Sequence, residues 1–268
     1  MFDRISETMR TRAEGLLLTL DNRLGNILKW WLLIAGVAVA ARISFTQLSV
    51  PVATFSTWGS YALLVLAPFA STLLALRWFR DGHLQPQPRT RLARVGRWRD
   101  VPLAEAERHP LYGTSGIMVS LLVGMMLNVP IRAAEYLAAM PPMPQVAPSW
   151  LSALHFAMTF DVVLFGSLYM VAFVAALRRV PLFPRLLVAI WVGDLLMQLV
   201  IANLVAAAGP IPPAVADALH TLLQNNVKKV LISVALWLPY LLLSVRVNVT
   251  YRHRVGNPRV AVDNSSSA

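Results

Sequence analysis

The sequence predicts an all-α, polytopic membrane helix bundle of about six transmembrane helices, with an amphipathic helix at the membrane surface ahead of the first. Three observations carry that prediction. Of 268 residues, 57% are hydrophobic and only 14% charged, against roughly 25% charged in a soluble domain. Polar side chains are too few to cover a water-soluble globule, so lipid becomes the solvent. Six stretches are also apolar over the ~20 residues that a spanning helix needs. Basic residues, finally, crowd into alternate connections between those stretches.

Residues 1–28 come first. Phe2, Ile5, Met9, Ala13, Leu16, Leu17, Leu20, Leu24 and Ile27 recur every three to four positions, with Asp3, Arg4, Glu7, Arg10, Glu14, Asp21 and Arg23 on other faces. Such a pattern makes an amphipathic helix that lies in the interface or docks on a partner protein. The run Leu16-Leu17-Leu18 sits among charges and lacks a small-residue cleavage site, so the first span is expected to be its own targeting signal. Residues 29–79 hold two spans, near 30–50, with Arg42 inside, and 58–79. Residues 80–111 form an Arg-rich loop. Residues 112–254 hold four spans, near 115–139, 150–177, 186–208 and 227–247. Residues 255–268 are small and polar and read as a disordered tail.

Arg80, Arg89, Arg91, Arg94, Arg97, Arg99 and Arg108 follow the second span, Arg178, Arg179 and Arg185 the fourth, and Arg246, Arg252, Arg254 and Arg259 the sixth. The alternate connections at 44–57 and 140–149 carry no charge, and that at 209–226 only Asp217 and His220. Positive residues stay on the cytoplasmic side, so both ends of the chain are expected there, in a bacterial inner membrane. The count of 21 Arg to 3 Lys points the same way, toward a GC-rich genome. The net charge of +11 then serves anionic headgroups, not nucleic acid. In the Arg-rich loop, Arg97, Trp98 and Arg99 are candidates for lipid or partner contact, as is Arg246 where the last span ends.

The chain has no cysteine, which excludes disulfides, thiolate chemistry and cysteine metal sites. Its five histidines are scattered, and no HExxH, Walker loop, GxSxG or GxGxxG occurs. No catalytic, metal-ligating or cofactor-binding set is expected.

Ionisable residues inside the spans are the remaining candidates, because each costs several kcal/mol unless paired or wetted. Arg132 and Glu135 lie three apart on one helix and are expected to pair. Pro130 just before them should kink that helix. Asp161 lies deep in the fourth span. Asp194 lies mid-span in the fifth, with Gln198 one turn on. Lys228 and Lys229 open the sixth from the outer side, against the charge rule, so a carboxylate should hold one of them, Glu135 or Asp161 by depth. These groups are structural links between helices or a proton or ion path. Links are favoured, since a relay needs several carboxylates in line.

Residues 112–254 carry further patterns. Gly113 and Gly116 precede the third span. Pro181-Leu182-Phe183-Pro184-Arg185 opens the fifth. Trp237-Leu238-Pro239-Tyr240 is followed by Ser244-Val245-Arg246-Val247 and Thr250-Tyr251. This region resembles the YdgK-like domain of unknown function, a family of small four-helix bacterial inner-membrane proteins. Val245 stands where that family has a basic residue, and Tyr251 where it has Phe. The resemblance implies a membrane bundle and no activity. Physically, Pro239 should break the last helix between Trp237 and Tyr240.

The function expected is that of a non-enzymatic accessory, assembly or envelope component. It would act through a membrane partner or as a homo-oligomer. The alternative is a small transporter or channel using Arg132, Glu135, Asp161, Asp194 and Lys228, although no inverted repeat is visible.

Overall fold

The structure, a computed structural model, describes residues 2–47, 54–90, 92 and 98–256. Side chains of residues 2–22 lie outside that description, as do Arg97 and the tail from 257 on. The long helices are α1 (Phe2–Gln47), α2 (Thr54–Trp78), α4 (Ile117–Ala139), α5 (Ser149–Leu177), α6 (Phe183–Ala207) and α7 (Pro213–Leu243). A short α3 (Leu103–Glu107) lies in the basic loop, and α8 (Val245–Arg252) follows α7. Each long helix contains a segment apolar and long enough to cross a membrane. The chain is a multi-pass helical membrane bundle.

Two expected boundaries move. Backbone helix runs unbroken through residue 28, so surface segment and first span are one helix of 46 residues. At ~1.5 Å per residue it measures about 69 Å, more than twice the ~30 Å apolar layer. Asn22, Gly25 and Asn26 fall where the polarity changes, but no proline accompanies them and the buried Leu24 and Leu28 hold both sides in the bundle, so the helix runs through. The sixth helix starts at Pro213, not near 227. Pro213 occupies its first turn, where a missing N–H costs nothing, and no helix breaker follows before Pro239. The expected outer loop of 209–226 is therefore mostly helix. Pro130 and Pro239 both lie inside continuous helix; α7 continues past Pro239 and ends at Leu243.

The centre of the bundle is α5, packed against α2, α4 and α6. Its sequence is apolar all round, as a helix surrounded by others must be. Helix α1 packs on α2 and α4, whereas α7 packs chiefly on α6 and buries only Leu223, Val230 and Leu241. Two hydrophobic clusters stack along the bundle. One holds Val129, Phe165, Tyr169, Phe173 and Trp191; the other holds Ala133, Tyr136, Met158, Val162 and Ile201.

Contacts at the two ends confirm that the spans alternate. At one end Gly82 meets Val180, Gln87 donates to the Tyr251 carbonyl at 3.2 Å, and Arg246 reaches Ser115 Oγ at 2.7 Å. At the other, the Met143 N–H donates to Thr57 Oγ1 at 3.1 Å, and Ser149 donates to the Ala208 carbonyl. A small antiparallel ribbon joins β1 (Trp98–Asp100) to β2 (Arg254–Gly256), pairing Trp98 with Gly256 and Asp100 with Arg254. This ribbon is an addition to the all-helical expectation, and it ties the basic loop to the segment after α8.

Candidate functional site

The polar site lies where one hydrophobic cluster gives way to the other. Arg132 on α4 falls between Val129 and Ala133, Asp161 on α5 just before Val162, and Asp194 with Gln198 on α6 between Trp191 and Ile201. Asp161 is twelve residues into α5, about 18 Å along its axis. Asp194 is completely buried, and Asp161 and Gln198 nearly so.

Arg132 forks between the two aspartates. Its Nη1 donates to Asp161 Oδ2 at 3.0 Å and its Nη2 to Asp194 Oδ2. The guanidinium lies 5.3 Å from the Phe165 ring centroid and 5.9 Å from that of Tyr169. Asp161, Phe165 and Tyr169 repeat every four residues, so one face of α5 supplies a carboxylate and two rings. Tyr169 Oη donates to Asp194 Oδ2 at 3.4 Å. Gln198 Nε2 donates to the Asp194 backbone carbonyl at 3.2 Å and stands 3.5 Å from Oδ1 of both aspartates. Asn226 of α7 donates to Gln198 Oε1 at 3.4 Å.

The expected Arg132–Glu135 pair does not form. Glu135 instead receives Lys229 of α7. A planar guanidinium can bind one carboxylate per edge, and here both edges find aspartates in a water-poor interior. Glu135 points outward and meets the lysine that α7 brings alongside. The lysine is Lys229. Lys228, one residue away, is exposed on another face. Asn226, Lys229 and Ser233 recur at helical spacing, and that stripe was the sequence signal for choosing Lys229.

A cavity of about 710 Å³ opens between α4, α5 and the first half of α7. Arg132 and Asp161 form its polar floor, Tyr136 and Met158 one wall, and Asp217, Asn225 and Asn226 the α7 wall. The Glu135–Lys229 pair borders it, and on its other side lies a pocket of about 50 Å³ reaching Asn128 and Ser233. The cavity exists because α7 packs chiefly on α6 and meets α4 through the Glu135–Lys229 pair, leaving space between them. Behind Tyr136 the polar atoms continue: its Oη is 2.6 Å from Thr159 Oγ1, and Tyr61 meets its ring edge-on at 6.3 Å. Among the described residues no three His, Asp or Glu side chains converge as a metal site would.

No known protein family, curated protein or solved structure matches the chain.

The other candidate residues serve the opposite end. Arg246 is held within the chain by Ser115 and the Gly113 carbonyl, and Gly116 lies against its guanidinium. Arg99 pairs with Glu105, and Trp98 lies in β1. Pro184 is buried in the first turn of α6, and Arg185 meets Thr90. Trp237 and Tyr240 contact each other edge to face at 6.1 Å, while Pro239 is exposed. In the sequence Arg252 counts only as one of the basic residues that set orientation. It is buried in α8 and donates to Asn248 Oδ1 at 3.1 Å and to the Leu241 carbonyl at 2.8 Å, capping α7. Burial, with Arg254 close by, lowers its pKa to about 10, so it stays charged at neutral pH.

Proposed function

We propose that this protein is a small transporter whose solute cavity leads to the Arg132–Asp161–Asp194 cluster. The observation that carries the reading is an intramembrane ionic cluster forming the floor of a cavity of about 710 Å³. Ionic groups used only as glue between helices need no such space, and charge inside a membrane ordinarily marks a solute or ion path. The cluster is also unbalanced. One guanidinium faces two carboxylates, so the site has room for one more positive charge when both are ionised.

The test is reconstitution into liposomes on a solid-supported membrane, with currents recorded for neutral, cationic and anionic solutes. Wild-type protein gives a saturable current with at least one solute class, and Asp161→Asn abolishes it while the protein still inserts and elutes as a single species. The absence of any protein-dependent current across all three classes would sink the reading.

An accessory component acting through a membrane partner is the second reading. It is favoured by Leu231, Ile232 and Leu236 of α7, an exposed apolar row on a helix with few neighbours. That role predicts a stoichiometric partner on purification in mild detergent and tolerance of Asp161→Asn. Residues 112–254 are proposed as a YdgK-like unit to which α1 and α2 are added. The proposed location is a bacterial inner membrane, with the Arg-rich end in the cytoplasm. Partners are then lipid and membrane protein, with no nucleic acid and no cofactor, and the role is not enzymatic.

A further inference from the structure

We infer that the cavity between α4, α5 and α7 takes a small organic cation. This rests on the transporter reading and adds the chemical class of its solute.

The charges decide the class. Two cations border the cavity or its floor, and both are already engaged: Arg132 by Asp161 and Asp194, Lys229 by Glu135. Against them stand Glu135, Asp161, Asp194 and Asp217, two more negative charges than positive. Asp217 faces the cavity from α7, is exposed, and forms no ion pair among the described residues. An anion entering here would meet no free cation and a surplus of carboxylate, a like-charge contact in a confined, partly dry space. A cation meets Asp217 first and the Asp161 edge of the cluster at the floor.

Size and surface narrow the class further. About 710 Å³ lies within the ~300–1,000 Å³ typical of small-molecule sites and far exceeds a bare ion. A hard metal ion needs six or more converging oxygens, and these carboxylates are spread over opposite walls. Ala138, Ala139, Ala218 and Leu222 supply apolar surface, which suits a cation that carries alkyl groups. The amides of Asn225 and Asn226 and the Thr221 hydroxyl complete the lining.

The probe is tetraethylammonium, titrated calorimetrically into the full-length protein in detergent, with p-toluenesulfonate as the anion of similar bulk. Saturable binding of the cation alone is expected. Asp217→Asn should weaken it roughly tenfold, the order of one partly solvated charge contact, and Asp217→Lys should abolish it. Asp217 is exposed, so both variants should fold, and an unchanged elution profile verifies that. Failure of tetraethylammonium to bind, preference for the sulfonate, or insensitivity to Asp217→Lys would each overturn the inference. The two readings fail separately. Anion currents that depend on Asp161, without cation binding, would remove the cation class and keep the transporter. Asp217-dependent cation binding without current for any solute would keep the site and remove the transporter.

Discussion

At Arg132 the energetics are those of a buried charge with two obligatory partners. Removing one side of a buried ion pair strands the other and costs about 3–5 kcal/mol. Arg132→Leu is therefore expected to lower the melting temperature in detergent sharply, since it strands both Asp161 and Asp194. Adding Asp161→Asn and Asp194→Asn to that variant should recover most of the loss, because the repulsion disappears with the charges. A triple variant as unstable as the single one would mean that Arg132 acts through its packing on Phe165 and Tyr169. The aspartates were legible in the sequence, because a carboxylate in an apolar run stands out at once. Their partner was not. Sequence spacing sees only neighbours on the same helix, so it offered Glu135 to Arg132, and the choice of Asp161 and Asp194 is made by helix packing.

Among the elements, the connections carry constraints as tight as the core. A Cβ on Gly82 would stand 2.6 Å from Val180 Cγ2 and 2.9 Å from the Arg178 carbonyl oxygen. The valine can turn away, but the carbonyl is fixed by the turn between α5 and α6, where Arg179 takes φ +54°. Gly82→Ala should destabilise the protein by about 1–3 kcal/mol, the usual cost of overpacking. Gly124→Ala, with nothing within 4 Å, should be neutral or slightly stabilising. Thermal unfolding of the pair in one detergent checks both. Helix α8 makes a second case. Tyr251 Oη donates to the Ala176 carbonyl at 2.9 Å from a fully buried position, its ring 5.0 Å from that of Phe183. Tyr251→Phe keeps the ring and should cost about 1 kcal/mol, whereas Tyr251→Ala should cost about 3–5 kcal/mol. The six spans were readable because length and hydropathy decide them. The start of α7 was not, because Asp217, His220, Thr221, Gln224, Asn225 and Asn226 break up its apolar first half, which resembles a loop until Pro213 is recognised as a helix-starting residue.

For the whole molecule, the placement of arginine predicts which way the bundle faces. The end formed by the basic loop, the α5–α6 turn and α8 gathers Arg80, Arg89, Arg99, Arg108, Arg178, Arg179, Arg185, Arg246, Arg252 and Arg254. The opposite connection at 140–148 has no charge at all. The alternation itself is fixed by contacts such as Gln87 to Tyr251 at one end and Met143 to Thr57 at the other. Orientation is a separate matter, decided by how arginine-rich connections resist transfer across the bilayer. Because the chain has no cysteine, single replacements report it cleanly. Val146, 91% exposed in the uncharged connection, and Glu107, exposed at the end of α3, are suited to the test. An impermeant maleimide added to intact cells should label Val146→Cys directly and Glu107→Cys only after permeabilisation. The reverse pattern would put the arginine-rich end outside. It would also turn the cavity toward the cytoplasm, because the first half of α7 that walls it, Asp217 included, follows the uncharged connections and lies on their side of the bundle. With the expected pattern, a cationic solute would enter from outside through the α4–α7 gap. The Arg132 cluster then stands between that solute and the interior, closed on its far side by Phe165, Tyr169 and Trp191.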